Sequence, residues 1–330
     1  MTDVTVSSGR RLFLKIKGLQ EIGVMIALLA LCIGLSLSTP IFMTQMNLLN
    51  VIRQSSYIGI MAVGMVFVVC MGDIDLSVGS IMTITNVVSA LMLKAGQPIP
   101  IAILIGLATG ALCGFINGSL SVLLKIPTII VTLGTLGVFR GIALIMCHNA
   151  PVSEFPKNNF FFNTVGGNVL GVPTSAVLML IVGILGWITI TRTVFGRNIQ
   201  AIGGNQQAAR LSGIRIDKNR IMVMVLNGTI AAFAGIIALA FLQSADQSTG
   251  PGYELWAIAS VIIGGTALTG GYGSVPGAIL GALIIYVIRN GLVLLSAPPN
   301  TDTAVTGAAI IVAVAIDSFV RHRKKTAKSI

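Results

Sequence analysis

Two carboxylates, Asp73 and Asp75, are the only acids between Glu21 and Glu154 in a chain of 330 residues. They stand where a long apolar run ends, and a carboxylate inside such a run is costly and usually functional. Two kinds of chemistry suit them. Within the run they would line a polar path or carry a coupling ion. Just past its end they would cap the next helix, beside the positive backbone groups of its N-terminus. Their i, i+2 spacing does not place both on one helical face, which argues against a paired-carboxylate hydrolase. Two histidines lie far apart, and Cys32, Cys70, Cys113 and Cys147 are scattered singly in apolar runs, so neither a metal site nor a disulfide framework is indicated. No phosphate-binding glycine loop is present, so the chain is not expected to hydrolyse a nucleotide.

Further polar residues interrupt apolar sequence. Ser77 follows Asp75; Asn117, Arg140 and Asn227 fall inside runs; Gln243 and Asp246 follow the run holding Asn227; Glu254 opens the next. Each is a candidate for a polar pathway, or for an interhelical hydrogen bond that serves packing alone. The stretch 196–214 has a different pattern. Ile199 and Ile202, then Ala208, Leu211 and Ile214, fall at helical spacing, broken by Gly203-Gly204. Asn205 is placed to cap a helix and Gly213 to end it. A short amphipathic helix is expected here, either shielding a bundle or docking a partner.

The elements that position these residues must be membrane helices. The chain is 55% hydrophobic and 9% charged, against about a quarter charged in soluble domains. About 20 apolar residues cross a bilayer. The spacing predicts ten spans, near 21–38, 51–71, 76–93, 99–123, 128–147, 174–191, 219–242, 254–269, 275–295 and 303–320. The third and eighth are short and glycine-flanked, and read as broken or re-entrant. The expected fold is all-α and polytopic, with about ten transmembrane helices and glycine-rich breaks. A single transmembrane domain covers 21–320, containing a cytoplasmic loop at 192–218, between tails at 1–20 and 321–330.

The net charge of +11 does not indicate nucleic acid, because the bases gather between and beside the spans. With both termini cytoplasmic, sixteen of the 21 lysines and arginines fall on the cytoplasmic side, as the positive-inside rule requires. Gly106, Gly110, Gly114 and Gly118 form a stripe for close helix packing, and Gly277 and Gly281 do the same later. The run after the basic N-terminal residues has no cleavage site and reads as a retained first span.

At these motifs the chain resembles the membrane permeases of bacterial ABC importers for ribose, other monosaccharides and related solutes such as the autoinducer. The resemblance is carried by Gly72-Asp73-Ile74-Asp75-Leu76-Ser77-Val78-Gly79-Ser80, by the 196–214 loop, by Gly264-Gly265 through Gly281, and by Lys125-Ile126-Pro127 with Thr132-Leu133-Gly134-Thr135 and Arg140-Gly141. Asp73 departs from it, standing where many members have glycine. The resemblance implies an inner-membrane permease that is not an enzyme and binds no cofactor. It pairs with a second permease, identical or paralogous, and a periplasmic solute-binding protein delivers solute to the pair. ATP and magnesium are expected on a separate ATP-binding subunit. Docking on that subunit would fall to Arg197, Ile199, Ile202, Gly203, Asn205, Ala208, Leu211 and Gly213. The alternative is an ion-coupled secondary transporter, in which Asp73 and Asp75 would couple the ion.

Overall fold

The structure is a computed structural model that describes residues 8–156, 159–246, 248–298, 301–309, 311, 312 and 315, with side chains from Glu21 onward. Eleven α-helices are delimited among them: α1 Ser8–Ser38, α2 Gln45–Cys70, α3 Val78–Lys94, α4 Ile99–Leu124, α5 Thr128–Met146, α6 Thr174–Arg192, α7 Val194–Gly204, α8 Gln206–Leu211, α9 Ile216–Leu242, α10 Tyr253–Ile263 and α11 Val275–Leu294, with a π-helical turn at Phe161–Val165. Residues 301–309 are also helical. The expected tail at 1–20 is partly helical, since α1 begins at Ser8. The basic tail at 321–330 lies outside the described residues.

Seven of these helices are long and apolar enough to cross a membrane. Against the ten spans expected, α3 and α10 are shorter, at 17 and 11 residues, and most of 303–320 lies outside the described residues. The shortening has a local cause. α3 starts only after the chain has turned at Gly72 (φ +89) and run on through Ser77. α10 starts after Gly250 and Gly252, both at positive φ, and stops at Gly264.

α2 is the central helix. From Ser55 to Cys70 every residue is buried, which suits a run of small and apolar side chains packed by α6, α9, α10 and α11. The glycine stripe lies where α4 crosses α9. A Cβ at Gly110 would overlap the Gly228 carbonyl, and one at Gly114 the Met224 carbonyl. The two backbones touch, which only glycine permits. Gly277 and Gly281 serve α11 in the same way, against Gly264 and Ser260.

The loop between α5 and α6 carries a hairpin of two-residue strands, β1 Asn168–Val169 and β2 Val172–Pro173, with Val169 opposite Val172. Its turn residues, Leu170 and Gly171, both have positive φ, as this tight turn demands. Lys94 at the end of α3 pairs with Glu154 in the same loop at 2.7 Å. The hydrogen bond from Lys94 holds the Glu154 carboxyl below its ordinary pKa.

Candidate functional site

The α2–α3 connection is built from its sequence residue by residue. The Gly72 and Asp73 amides donate to the Val69 and Val68 carbonyls, closing α2 with a left-handed glycine. The Asp73 carboxylate accepts a hydrogen bond from Arg220 Nε on α9 at 2.8 Å. Two residues on, Asp75 folds back over the start of α3. Its Oδ1 accepts from the Ser77 amide at 2.8 Å and from the Ser77 hydroxyl at 2.6 Å. This is a turn closed ahead of α3 and not the helix cap expected of the acids, since α3 has Ser77 at its N-cap and no side-chain capping bond. The backbone between the acids is served by α5: the Leu76 amide donates to Thr132 Oγ1 at 3.1 Å.

From this turn a buried network reaches three more helices. Asp75 Oδ2 accepts from Asn227 Nδ2 on α9 at 2.8 Å. Ser77 Oγ accepts from Asn117 Nδ2 on α4 at 2.8 Å. Thr135 Oγ1 on α5 donates to Asn117 Oδ1 at 2.7 Å. Asp75, Ser77, Asn117 and Asn227 are each no more than 1% exposed. Asn227 Oδ1 faces Gly64 of α2 and has no hydrogen-bond partner. No cation pairs with Asp75 among the described residues. Asn227 lies about 16 Å along α9 from its start at Ile216, at 1.5 Å per residue. The network is therefore well inside the helical bundle.

Glu254 approaches the same region. Its Oε1 accepts from the Gly252 amide at 3.2 Å, and its other oxygen packs where a Cβ on Gly79 would sit. Thr83 Oγ1 donates to the Thr249 carbonyl at 2.7 Å. The first turns of α3 and α10 thus meet, and Glu254, in the first turn of α10, faces that contact. Arg140 on α5 is close enough for its charge to act on Glu254, without forming an ion pair. Gln243 and Asp246 stand apart. Gln243 ends α9 in the left-handed region, and Asp246 accepts from the Ser248 amide at 2.7 Å. Sequence reasoning did not select Thr132 and Thr135 as site residues. Their i, i+3 spacing on one face of α5 was the available signal. It also missed Asn86 and Ser89 on α3, buried with side-chain polar atoms that lack a partner.

The 196–214 segment is two short helices. Thr193 caps α7 by accepting from the Gly196 amide at 3.1 Å, and Asn205 caps α8 by accepting from the Ala208 amide at 3.0 Å. Gly213 follows α8 at φ +80. Arg197, Asn205, Ala208, Leu211 and Gly213 are exposed, Leu211 at 84%. Ile199 and Ile202 are buried at 0% and 3% and do not share that surface. The apolar face of α7 turns toward its own bundle, where burial of isoleucine is favourable. Beneath it, Gly203 lies against the Cys70 carbonyl at the end of α2, and the same carbonyl accepts from the Gly271 amide at 2.7 Å. Four residues of chain separate this joint from Asp75.

Among the described residues no three histidine, cysteine or acidic side chains gather as a metal site. The chain holds a buried polar network among membrane helices and a helical segment packed on its end, which is the anatomy of a membrane transport subunit. A family model described as branched-chain amino acid transport system / permease component matches residues 47–314, and the chain belongs to that family. It is similar to a ribose import permease protein of Escherichia coli (strain K12), 41% identical over 96% of this chain and 99% of the relative. A ribose import permease protein of Bacillus subtilis (strain 168) is 38% identical over 94% of each chain. The D-allose transport system permease protein of Escherichia coli (strain K12) is 37% identical over 86% of this chain and 87% of the relative. No solved structure matches the chain. The protein is the multi-pass, inner-membrane permease component of an importer, and not an enzyme.

Proposed function

We propose that the chain forms the translocation path for a monosaccharide, in a dimer of permeases driven by a separate ATP-binding subunit that carries ATP and magnesium. A periplasmic binding protein delivers the solute. The observation that carries this reading is the end-to-end similarity to relatives named for ribose and D-allose. The network of Asp75, Ser77, Asn117 and Asn227 is the candidate polar core of the path, with Glu254 and Arg140 beside it. Gln243 and Asp246 belong to its outer mouth.

The exposed residues Arg197, Asn205, Ala208, Leu211 and Gly213 form the docking surface in this reading. Ile199, Ile202 and Gly203 anchor that surface to the bundle. Movement of α7 and α8 reaches Cys70 through the Gly203 contact, and from there the Asp75 turn. The single permease domain spans 21–320 with the coupling loop at 192–218. Ten crossings follow if α3 and α10 cross together with segments 71–77 and 264–274, and if 303–320 is the last. Both termini then lie in the cytoplasm.

The test is uptake of labelled ribose, D-allose and other monosaccharides by cells with and without the chain, with tagged protein isolated from the same membranes. ATP-dependent uptake and a stoichiometric ATP-binding subunit are expected. Uptake that survives ATP depletion but collapses with the ion gradient would overturn this reading. It would leave the ion-coupled alternative, with Asp73 and Asp75 as the coupling acids.

A further inference from the structure

The geometry points to a binding site for the headgroup of an anionic phospholipid at the cytoplasmic end of α4, α5 and α9. A cavity of about 1010 Å³ opens there, between the α4–α5 turn and the α8–α9 connection. Lys125, Arg210, Arg215 and Lys218 line it, all exposed. None of the four has an ion-pair partner among the described residues. The lining acids are Asp73 and Asp217, and Asp73 is held by Arg220 at 2.8 Å. The cavity therefore carries an excess of positive charge, offset only in part by Asp217 among the described residues.

Two further features select a phosphate and then a lipid. The first turns of α5 and α9 both line the cavity, at Thr128 and Ile216, and neither helix has a side-chain cap. Uncapped amides at helix starts add to the attraction for an anion. The cavity also adjoins bare apolar surface. Leu123 and Leu124 on α4 are 76% and 59% exposed, and Ile129 and Ile130 on α5 are 41% and 58% exposed. These residues flank the α4–α5 turn within a few positions of Lys125. A soluble phosphate has no use for that surface, whereas acyl chains do. Basic pockets between membrane helices on this side suit phospholipid headgroups.

The test is binding by the full-length purified chain in mild detergent, titrated with phosphatidylglycerol or phosphatidylcholine and read by native mass spectrometry. Tight retention of phosphatidylglycerol over phosphatidylcholine is expected. In a triple Lys125→Gln, Arg215→Gln, Lys218→Gln variant, retention should fall on the order of 100-fold, from about fivefold per base. Arg192→Gln, an exposed base outside the cavity, should leave it unchanged. Equal retention of both lipids, or a triple variant that binds like the parent, would overturn the site. Displacement of phosphatidylglycerol by inorganic phosphate at equal concentration would assign the cavity to a free anion and overturn the lipid. The variants alter exposed side chains, and a monodisperse elution profile confirms that they fold. The readout is independent of transport.

Discussion

Replacing Asp75 by alanine and by asparagine separates hydrogen bonding from charge in the buried network. Asp75 accepts from the Ser77 amide, the Ser77 hydroxyl and Asn227 Nδ2. Asp75→Ala strands these donors where no water reaches, since Ser77 and Asn227 are at most 1% exposed. At about 1–3 kcal/mol per stranded group, and with the hydroxyl free to turn so that two groups remain, the loss is about 2–6 kcal/mol. That is a large part of a stability of about 5–15 kcal/mol. Asp75→Asn keeps the Oδ1 acceptor and the shape. Its new amide nitrogen would face Asn227 Nδ2, but turning the Asn227 amide over brings Oδ1, unpartnered at present, into position. The amide nitrogen of Asn227 then takes the place beside Gly64, the three hydrogen bonds are kept, and trading charge-assisted bonds for neutral ones costs about 1 kcal/mol. The assay is the apparent melting temperature of detergent-solubilised protein, followed by size-exclusion chromatography. A deep loss for alanine and a shallow one for asparagine are expected. Equal losses, or none for either, would refute the geometry. Solute uptake by the folded asparagine variant then reports what the negative charge itself contributes.

Three further outcomes follow from the packing. Gly114→Val places a side chain onto the Met224 backbone and should abolish accumulation of folded protein. Gly134→Val, with open space around its Cα, should accumulate normally; both are read by fluorescence of a fused reporter. Leu211→Asp should leave folding intact and reduce co-purification of the ATP-binding subunit at least tenfold, whereas Ile202→Asp should fail at folding because Ile202 is buried. Asp73→Arg or Arg220→Asp alone should each cost about 1–3 kcal/mol by breaking a partly buried charged hydrogen bond, and the double exchange should restore most of the melting temperature.

What could be read in advance divides along a physical line. Local features were legible: the Asn205 cap, the Gly213 stop and the glycine stripe on α4 follow from backbone requirements that one stretch of sequence expresses. The candidates Asp75, Ser77, Asn117 and Asn227 were legible one at a time, because a polar side chain in an apolar run stands out. Their union was not, since Asp75 and Asn227 are 152 positions apart and no periodicity encodes the pairing. The direction of Ile199 and Ile202 was also hidden. An amphipathic pattern marks an apolar face but not whether its own bundle or a partner covers it. The lengths of α3 and α10 depended on where the chain re-enters the bundle, which Gly72, Gly250 and Gly252 permit without specifying depth.

The contact between α4 and α9 has a kinematic consequence. Where side chains separate two helices, a layer of rotamers can rearrange and let one helix slide along the other. At Gly110, Gly114 and Gly118 no such layer exists, and the peptide planes themselves interlock. The two helices form a strut, with Asn117 on one limb and Asn227 on the other at a fixed separation. In the path proposed above, cargo does not part that strut. The parts left to move are those that abut it, the α2–α3 turn and the threonine face of α5, which are joined to it by side-chain hydrogen bonds.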